Sequence, residues 1–264
     1  MFHLRFILND RVEVKMFDLG HILYMVISGI ISAVLLWLMC KHFKTDEKKY
    51  AALKFFAIIT VIIHYSSLWV DFFTGSSAEV ASVMLLPIHP CNVCMWLLVA
   101  CAFIKKKEGE IYRLLTEYTF WAGCVCGFIG ILLNENYDAT PSLLDYDVLK
   151  GLLSHSTMII GCAYLAISGI VKIRVKNIIS VVAGLLLFLV DGAIINTLYA
   201  IFKLDPCNSM YLLEAPFSNI PWLITPVMGL MAIAVVFIIT SIYEAAFLPE
   251  NERWYKLIGH KNGK

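Results

Sequence analysis

An all-α, polytopic membrane bundle of seven transmembrane helices, N-terminus outside and C-terminus cytoplasmic, is the fold class the sequence predicts. Three observations carry that reading. Of 264 residues, 60% are hydrophobic and only 16% charged, which leaves too little polar surface to cover a water-soluble globule of this size. The apolar residues come in runs of about 20, the length that crosses a bilayer core. Basic residues gather between alternate runs, the pattern that orients membrane helices.

Taken in order, residues 1–18 form an arm. It mixes Arg5, Arg11 and Lys15 with Asp10, Glu13 and Asp18. No small-residue cleavage site follows its first apolar run, so a cleaved signal peptide is not expected. Phe2, Leu4, Phe6, Ile7 and Leu8 among those charges predict a segment lying in the headgroup region. Spans are predicted at 19–40, 50–73, 82–104, 113–133, 151–171, 177–202 and 219–247, with a tail over 248–264. All belong to one membrane domain, 1–264.

The first connection and its flank carry Lys41, Lys44, Lys48, Lys49 and Lys54; the third Lys105, Lys106, Lys107 and Arg113; the fifth Lys172, Arg174 and Lys176; the tail Arg253, Lys256, Lys261 and Lys264. The other side has only Arg5, Arg11, Lys15, Lys150 and Lys203. Sixteen against five places the tail in the cytoplasm of a multi-pass cell-membrane protein. The connections on the outer side, 134–150 and 203–218, are longer, and the first is acidic.

A net charge of +1 gives no case for nucleic acid, so the partners expected are membrane lipid and, unspecified, other proteins. Of eight cysteines only Cys207 falls in a connection, which argues against a disulfide framework. Neither a cofactor nor a metal site is read from the sequence. Cys91-x-x-Cys94 would supply half a site, but no second ligand cluster accompanies it.

An ionisable side chain in the bilayer costs about 2.5–3.5 kcal/mol on insertion scales, so each one asks for a partner or a use. His64 and Asp71 of the second span, His89 of the third, Glu117 of the fourth, His155 of the fifth and Asp191 of the sixth are such residues. At about 1.5 Å per residue, His64 and Cys91 lie about 14 Å, His89 about 10 Å, Asn196 about 9 Å and His155 about 6 Å below the outer rim. Polar groups from four helices thus share the outer leaflet. Glu117, near the cytoplasmic end, is expected to pair with a loop lysine.

The stretch LLPIHPCNVCMW (85–96) explains itself in the same terms. Pro87 and Pro90 have no N–H to give the carbonyls of Val83 and Leu86, so a helix here bends or opens. Such an opening is tolerated in lipid only where protein or a wet cavity covers it. Either a neighbour's Ser or Thr meets the freed carbonyls, or the stretch marks a site, in which a histidine takes the Cys91 proton and makes a nucleophile. Cys94 and Cys101, on the same helical stripe, are read as packing residues. Asp191, beside Gly192, is read either as a protonated packing residue or as part of the cavity. Gly123, Gly127 and Gly130 form a small-residue face for close helix contact.

These residues resemble the YwaF family of bacterial integral membrane proteins, which has distant eukaryotic relatives. LPIHPCN (86–92) is similar to the family's Pro-x-His-x-Cys element, FWAG (120–123) to its Phe-Trp-Gly element and LLSHS (152–156) to its Ser-His element. The run from Asn196 and Tyr199 to Pro221 and Trp222 is similar to its last helix pair. Asn92, Pro90 and Ala122 depart from the usual residues. The eukaryotic relatives are acyltransferases that move fatty acyl groups onto lysophospholipids through a cysteine and a histidine. By that resemblance Cys91 is the acyl-accepting thiol and His155 its base, while His64, His89, Asn92, Trp121, Asn196 and Tyr199 surround the substrate, Asn196 or His89 serving the oxyanion. Two other readings stand beside it: a small-solute transporter whose path is lined by His64, Asp71, His89 and Asp191, and a non-catalytic assembly protein.

Overall fold

Eight α-helices and three short 3₁₀ turns make up the described part of a computed structural model, which covers residues 17–74, 86–134, 143–202, 204, 207–216 and 220–259, with backbone only at 71, 74 and 257–259. The helices are α1 (Leu19–His42), α2 (Asp46–Thr74), α3 (Pro90–Phe103), α4 (Glu110–Leu132), α5 (Tyr146–Ile167), α6 (Ile179–Ile201), α7 (Thr225–Phe247) and α8 (Trp254–Gly259). The arm over 1–16, residues 82–85 at the start of the third predicted span, the Asp71 side chain and residues 135–142 of the acidic connection lie outside the described residues.

Local chemistry sets the helix starts. The Asp18 carboxylate accepts from the His21 N–H at 2.7 Å and begins α1. Asp145 accepts from the N–H groups of Asp147 and Val148 and begins α5 at Tyr146, five residues ahead of the predicted start. Gly109, at φ +88°, turns the chain into α4.

Among the described residues six helices, all but α3 and α8, are long and apolar enough to cross a membrane. The predicted third span, 82–104, is different. Its helix is only 14 residues, about 21 Å of rise, and begins at Pro90 with His89 extended before it. The prolines do not bend a long helix; Pro90 occupies the first helical position, where its missing N–H costs nothing.

Cross-helix hydrogen bonds fix which ends lie together. At one end His21 Nε2 donates to the Ile131 carbonyl at 2.8 Å, Ser66 meets the Tyr146 hydroxyl at 2.5 Å, and Ile88 is bonded to residues 209–210. The His21 tautomer follows, because its Nδ1 accepts the Phe17 N–H. At the other end the Cys40 thiol reaches Ile167, the Tyr112 and Tyr50 hydroxyls meet at 3.2 Å, and Arg174 pairs with Glu252 at 2.7 Å. Successive helices therefore alternate in direction, and the basic residues of the first, third and fifth connections gather at this second end, called here the basic end. There the Lys107 ammonium donates to the Ala102 carbonyl at the close of α3 and lies 3.8 Å over the Tyr50 ring. Burial, with Lys54 nearby, pushes its pKa below the ordinary lysine value.

α5 is the hub, packed between α2 and α4, with α3 wedged against all three and α1 and α7 at the margins. The α4 glycines face it: a Cβ on Gly123, Gly127 or Gly130 would strike Cys162, Ile159 or the His155 ring respectively. The close contact expected of that stripe is thus made with α5. Large apolar side chains such as Ile30, Val190 and Leu230 clothe the outside, as a lipid-facing surface requires.

Candidate functional site

The start of α3 lies deep in the bundle. Cys91 occupies its first turn, and its neighbours across the helix gap are His64 of α2 and His155 of α5. Counted from their own helix ends at about 1.5 Å per residue, His64 is about 15 Å and His155 about 14 Å below the rim opposite the basic end. The sequence places His155 only about 6 Å deep. The correction comes from Asp145, whose cap begins α5 at Tyr146 and sets the histidine five residues, about 7.5 Å, further in.

Thr60 and His64 from α2, Cys91, Asn92 and Met95 from α3, and Ser154, His155 and Met158 from α5 enclose one cavity. The space open to the centre of a water molecule is about 20 Å³. That admits a water or the carbonyl and hydroxyl of a reacting group, and excludes an acyl chain.

Three details define its chemistry. The Cys91 thiol donates to the Asn92 side-chain oxygen at 3.5 Å, and the Asn92 amide donates to the Leu86 carbonyl at 3.4 Å. His155 Nδ1 lies 2.7 Å from the Gly151 carbonyl, which can only accept, so Nδ1 carries the proton and Nε2 is the basic nitrogen. The ring rests on Gly130, where any larger residue would displace it. His64 Nε2 is buried and no described group hydrogen-bonds it.

A strap from the α6–α7 connection covers the opened backbone. The Ile88 carbonyl accepts from the Met210 N–H at 2.8 Å and from the Ser209 hydroxyl at 3.2 Å. A neighbour's serine is thus bonded to the Ile88 carbonyl, which is not one of the two that the prolines free. The Leu86 carbonyl accepts instead from the Ile88 N–H and Asn92. Asn196 clasps the strap from both sides, its oxygen accepting the Ser209 N–H at 2.8 Å and its amide donating to the Ser209 carbonyl at 3.3 Å. The Thr225 hydroxyl donates to the Met210 carbonyl. Met210 and Tyr211 hold left-handed backbone, at φ 55° and 51°, and Met210 is fully buried against Gly192. Gly192 is about 14 Å from the end of α6, so the strap descends as far as the cavity does.

The structure thus brings together His64, Cys91, Asn92 and His155. The other four predicted site residues lie off the cavity wall. His89 caps α3 and its ring lies 5.8 Å from that of Tyr211; Asn196 holds the strap; Trp121 packs on Phe120; and the Tyr199 hydroxyl is buried without a described partner. Thr60, Met95, Ser154 and Met158 are missing from the sequence reading. All sit beside, or one helical turn from, a residue it names, and that spacing is the signal that finds them. Cys94 is wholly buried off the cavity wall, and the Cys101 thiol donates to Thr119 at 3.3 Å. Among the described residues no three His, Cys, Asp or Glu side chains converge to hold a metal. Glu117 bonds Arg113 of its own helix, together with Asn177 and Ser180, instead of a loop lysine.

A model of the TMEM164 family matches residues 16–243, which spans every motif and every cavity residue just described. The chain belongs to that family. It is a membrane protein, and its cavity lies between α2, α3 and α5. No curated protein and no solved structure matches the chain.

Proposed function

We propose that the cavity is the reaction site of a lipid acyltransferase with a Cys91 nucleophile. The observation that carries the proposal is the meeting of the α3 thiol and the α5 imidazole in one water-sized cavity. In the first half-reaction the Cys91 sulfur attacks the carbonyl carbon of an ester donor. The C–S bond forms, the C–O bond to the leaving alcohol breaks, and the thiol proton passes through His155 Nε2 to that alcohol. The second half-reaction moves the acyl group to an acceptor hydroxyl and restores the thiol. Asn92 orients the sulfur, and the N-terminal end of the α3 dipole favours negative charge developing there. Because the cavity excludes a chain, both fatty tails stay in lipid while only head atoms enter. The resemblance to the YwaF proteins and their acyltransferase relatives points to lysophospholipids as acceptors. The lysine distribution supports a cavity in the outer leaflet of the cell membrane, with the N-terminus outside, and the proposed partner is membrane lipid.

The test is transfer from a radiolabelled diacyl phospholipid to a lysophospholipid in proteoliposomes. Cys91→Ala is expected to abolish transfer and His155→Ala to lower it about 100-fold or more. Equal transfer by Cys91→Ala and wild type overturns the proposal. A second reading, solute or proton passage, has one observation in its favour: Asp191 Oδ2 is buried in α6 without a described partner. Uptake that needs Asp191 and not Cys91 is its signature.

A further inference from the structure

The cavity holds one imidazole more than a single base requires. His155 is committed: its Nδ1 is tied to Gly151 and its ring is backed by Gly130. His64 stands on the opposite wall, on α2, with Nε2 buried in a wall that includes Cys91 and no described group bonded to it. A buried nitrogen left unmet is unfavourable. Thr60, the nearest hydroxyl along the same face of α2, does not relieve it, because it donates to the Phe56 carbonyl at 2.7 Å and lies 2.9 Å from Thr157. Met95 and Met158 offer no strong donor or acceptor. Tyr65 meets the His64 ring edge to face at 5.1 Å, while its hydroxyl accepts from Trp96. His64 lines a cavity of about 20 Å³, the size of one hydroxyl, and a small rotation of its ring presents Nε2 to a polar group entering there.

We infer that His64 Nε2 receives the hydroxyl of the acyl acceptor and takes its proton in the second half-reaction. The inference rests on the acyl-Cys91 reading above. The acceptor oxygen attacks the thioester carbonyl; the C–O bond forms and the C–S bond breaks. The hydroxyl proton moves to His64 Nε2 and then to the departing Cys91 thiolate, so that imidazole and thiol return unchanged. Two imidazoles on facing helices thereby divide the two half-reactions: His155 serves the donor and His64 the acceptor. The acceptor class is an alcohol, and water in the same place gives hydrolysis.

The experiment uses full-length protein in proteoliposomes with radiolabelled diacylphosphatidylcholine as donor and lysophosphatidylcholine as acceptor. It reads hydroxylamine-labile label on Cys91 and label in the acceptor separately. His64→Leu removes the nitrogen and keeps the bulk; His64→Gln keeps an amide near Nε2 without a base and serves if the leucine variant does not fold. The expected result is Cys91 labelling at the wild-type rate, a rise in steady-state acyl-Cys91, and transfer slowed about 100-fold. Transfer at the wild-type rate overturns the inference. So does equal loss of labelling and transfer in a monodisperse variant, because His64 then serves the first step. Failure of wild-type protein to label at Cys91 is a separate result, and it removes the acyltransferase reading itself.

Discussion

Two buried carboxylates at the basic end and a buried imidazole at the cavity are met in opposite ways. At the basic end Glu117 and Glu244 are about as buried as any core residue, at 3% and 2% exposure, yet every carboxylate oxygen is met. Glu244 accepts the Val175 N–H at 2.7 Å with one oxygen and the Trp254 N–H at 2.8 Å with the other, tying the α5–α6 connection and the tail to the last turn of α7. Glu117 accepts from Asn177 with one oxygen and from Arg113 and Ser180 with the other. Half a bilayer away, the cavity holds a thiol and two imidazoles, and one nitrogen has no described partner. Saturated buried charge is a fastener; an unmet polar atom on a residue that lines a cavity is a place for something else. The cavity is the deciding half of that criterion, because Arg174 Nη1 and the hydroxyls of Tyr164 and Ser241 near the basic end are also buried without a described partner and line no such space.

That contrast predicts how the two regions fail. Glu244→Ala leaves the buried Val175 N–H and the half-buried Trp254 N–H unmet and removes two charge-assisted bonds, at about 1.5–3 kcal/mol each, so a stability loss of about 3–6 kcal/mol is expected. Thermal unfolding in detergent checks it, with activity per folded molecule unchanged at low temperature. Gly130→Ala brings a methyl within 2.3 Å of the His155 ring and forces the imidazole off its seat. An overpacking cost of about 1–3 kcal/mol is expected, with transfer lowered about 10-fold or more. Gly109→Ala, where nothing lies within 4 Å, is the control: it strains a turn at φ +88° at the basic end and leaves transfer alone. Smallest is Asn196→Ala, which frees one side of the strap and costs about 1 kcal/mol. Its mark is faster amide exchange at Ser209 and Met210, with little change at Glu244.

Much of the architecture is legible in the chain because a bilayer imposes few choices: length, apolarity and the lysine clusters suffice to find the long helices and sort the basic residues to one end. The third span fails that logic. Pro90 is a strong helix starter as well as a helix breaker, and only the depth at which the chain arrives decides which role it plays. The meeting of Cys91 with His64 and His155 follows from counting turns, although the count for His155 misses the Asp145 cap. The strap is not legible. It rests on Ile88 meeting residues 209–210, more than a hundred positions apart, and on left-handed backbone at Met210 and Tyr211, which no glycine announces. For the same reason Asn196 reads as a cavity residue from its depth and is instead a clasp.

The cysteine mechanism requires that the Cys91 sulfur carry the acyl group. Intact-mass measurement of protein quenched in acid after mixing with a diacyl phospholipid, with and without His64→Leu, tests that directly. That mechanism gives a mass increase of one fatty acyl chain on Cys91, removed by neutral hydroxylamine, absent from Cys91→Ser and enriched in His64→Leu. An unmodified Cys91 in protein that still transfers acyl groups contradicts it.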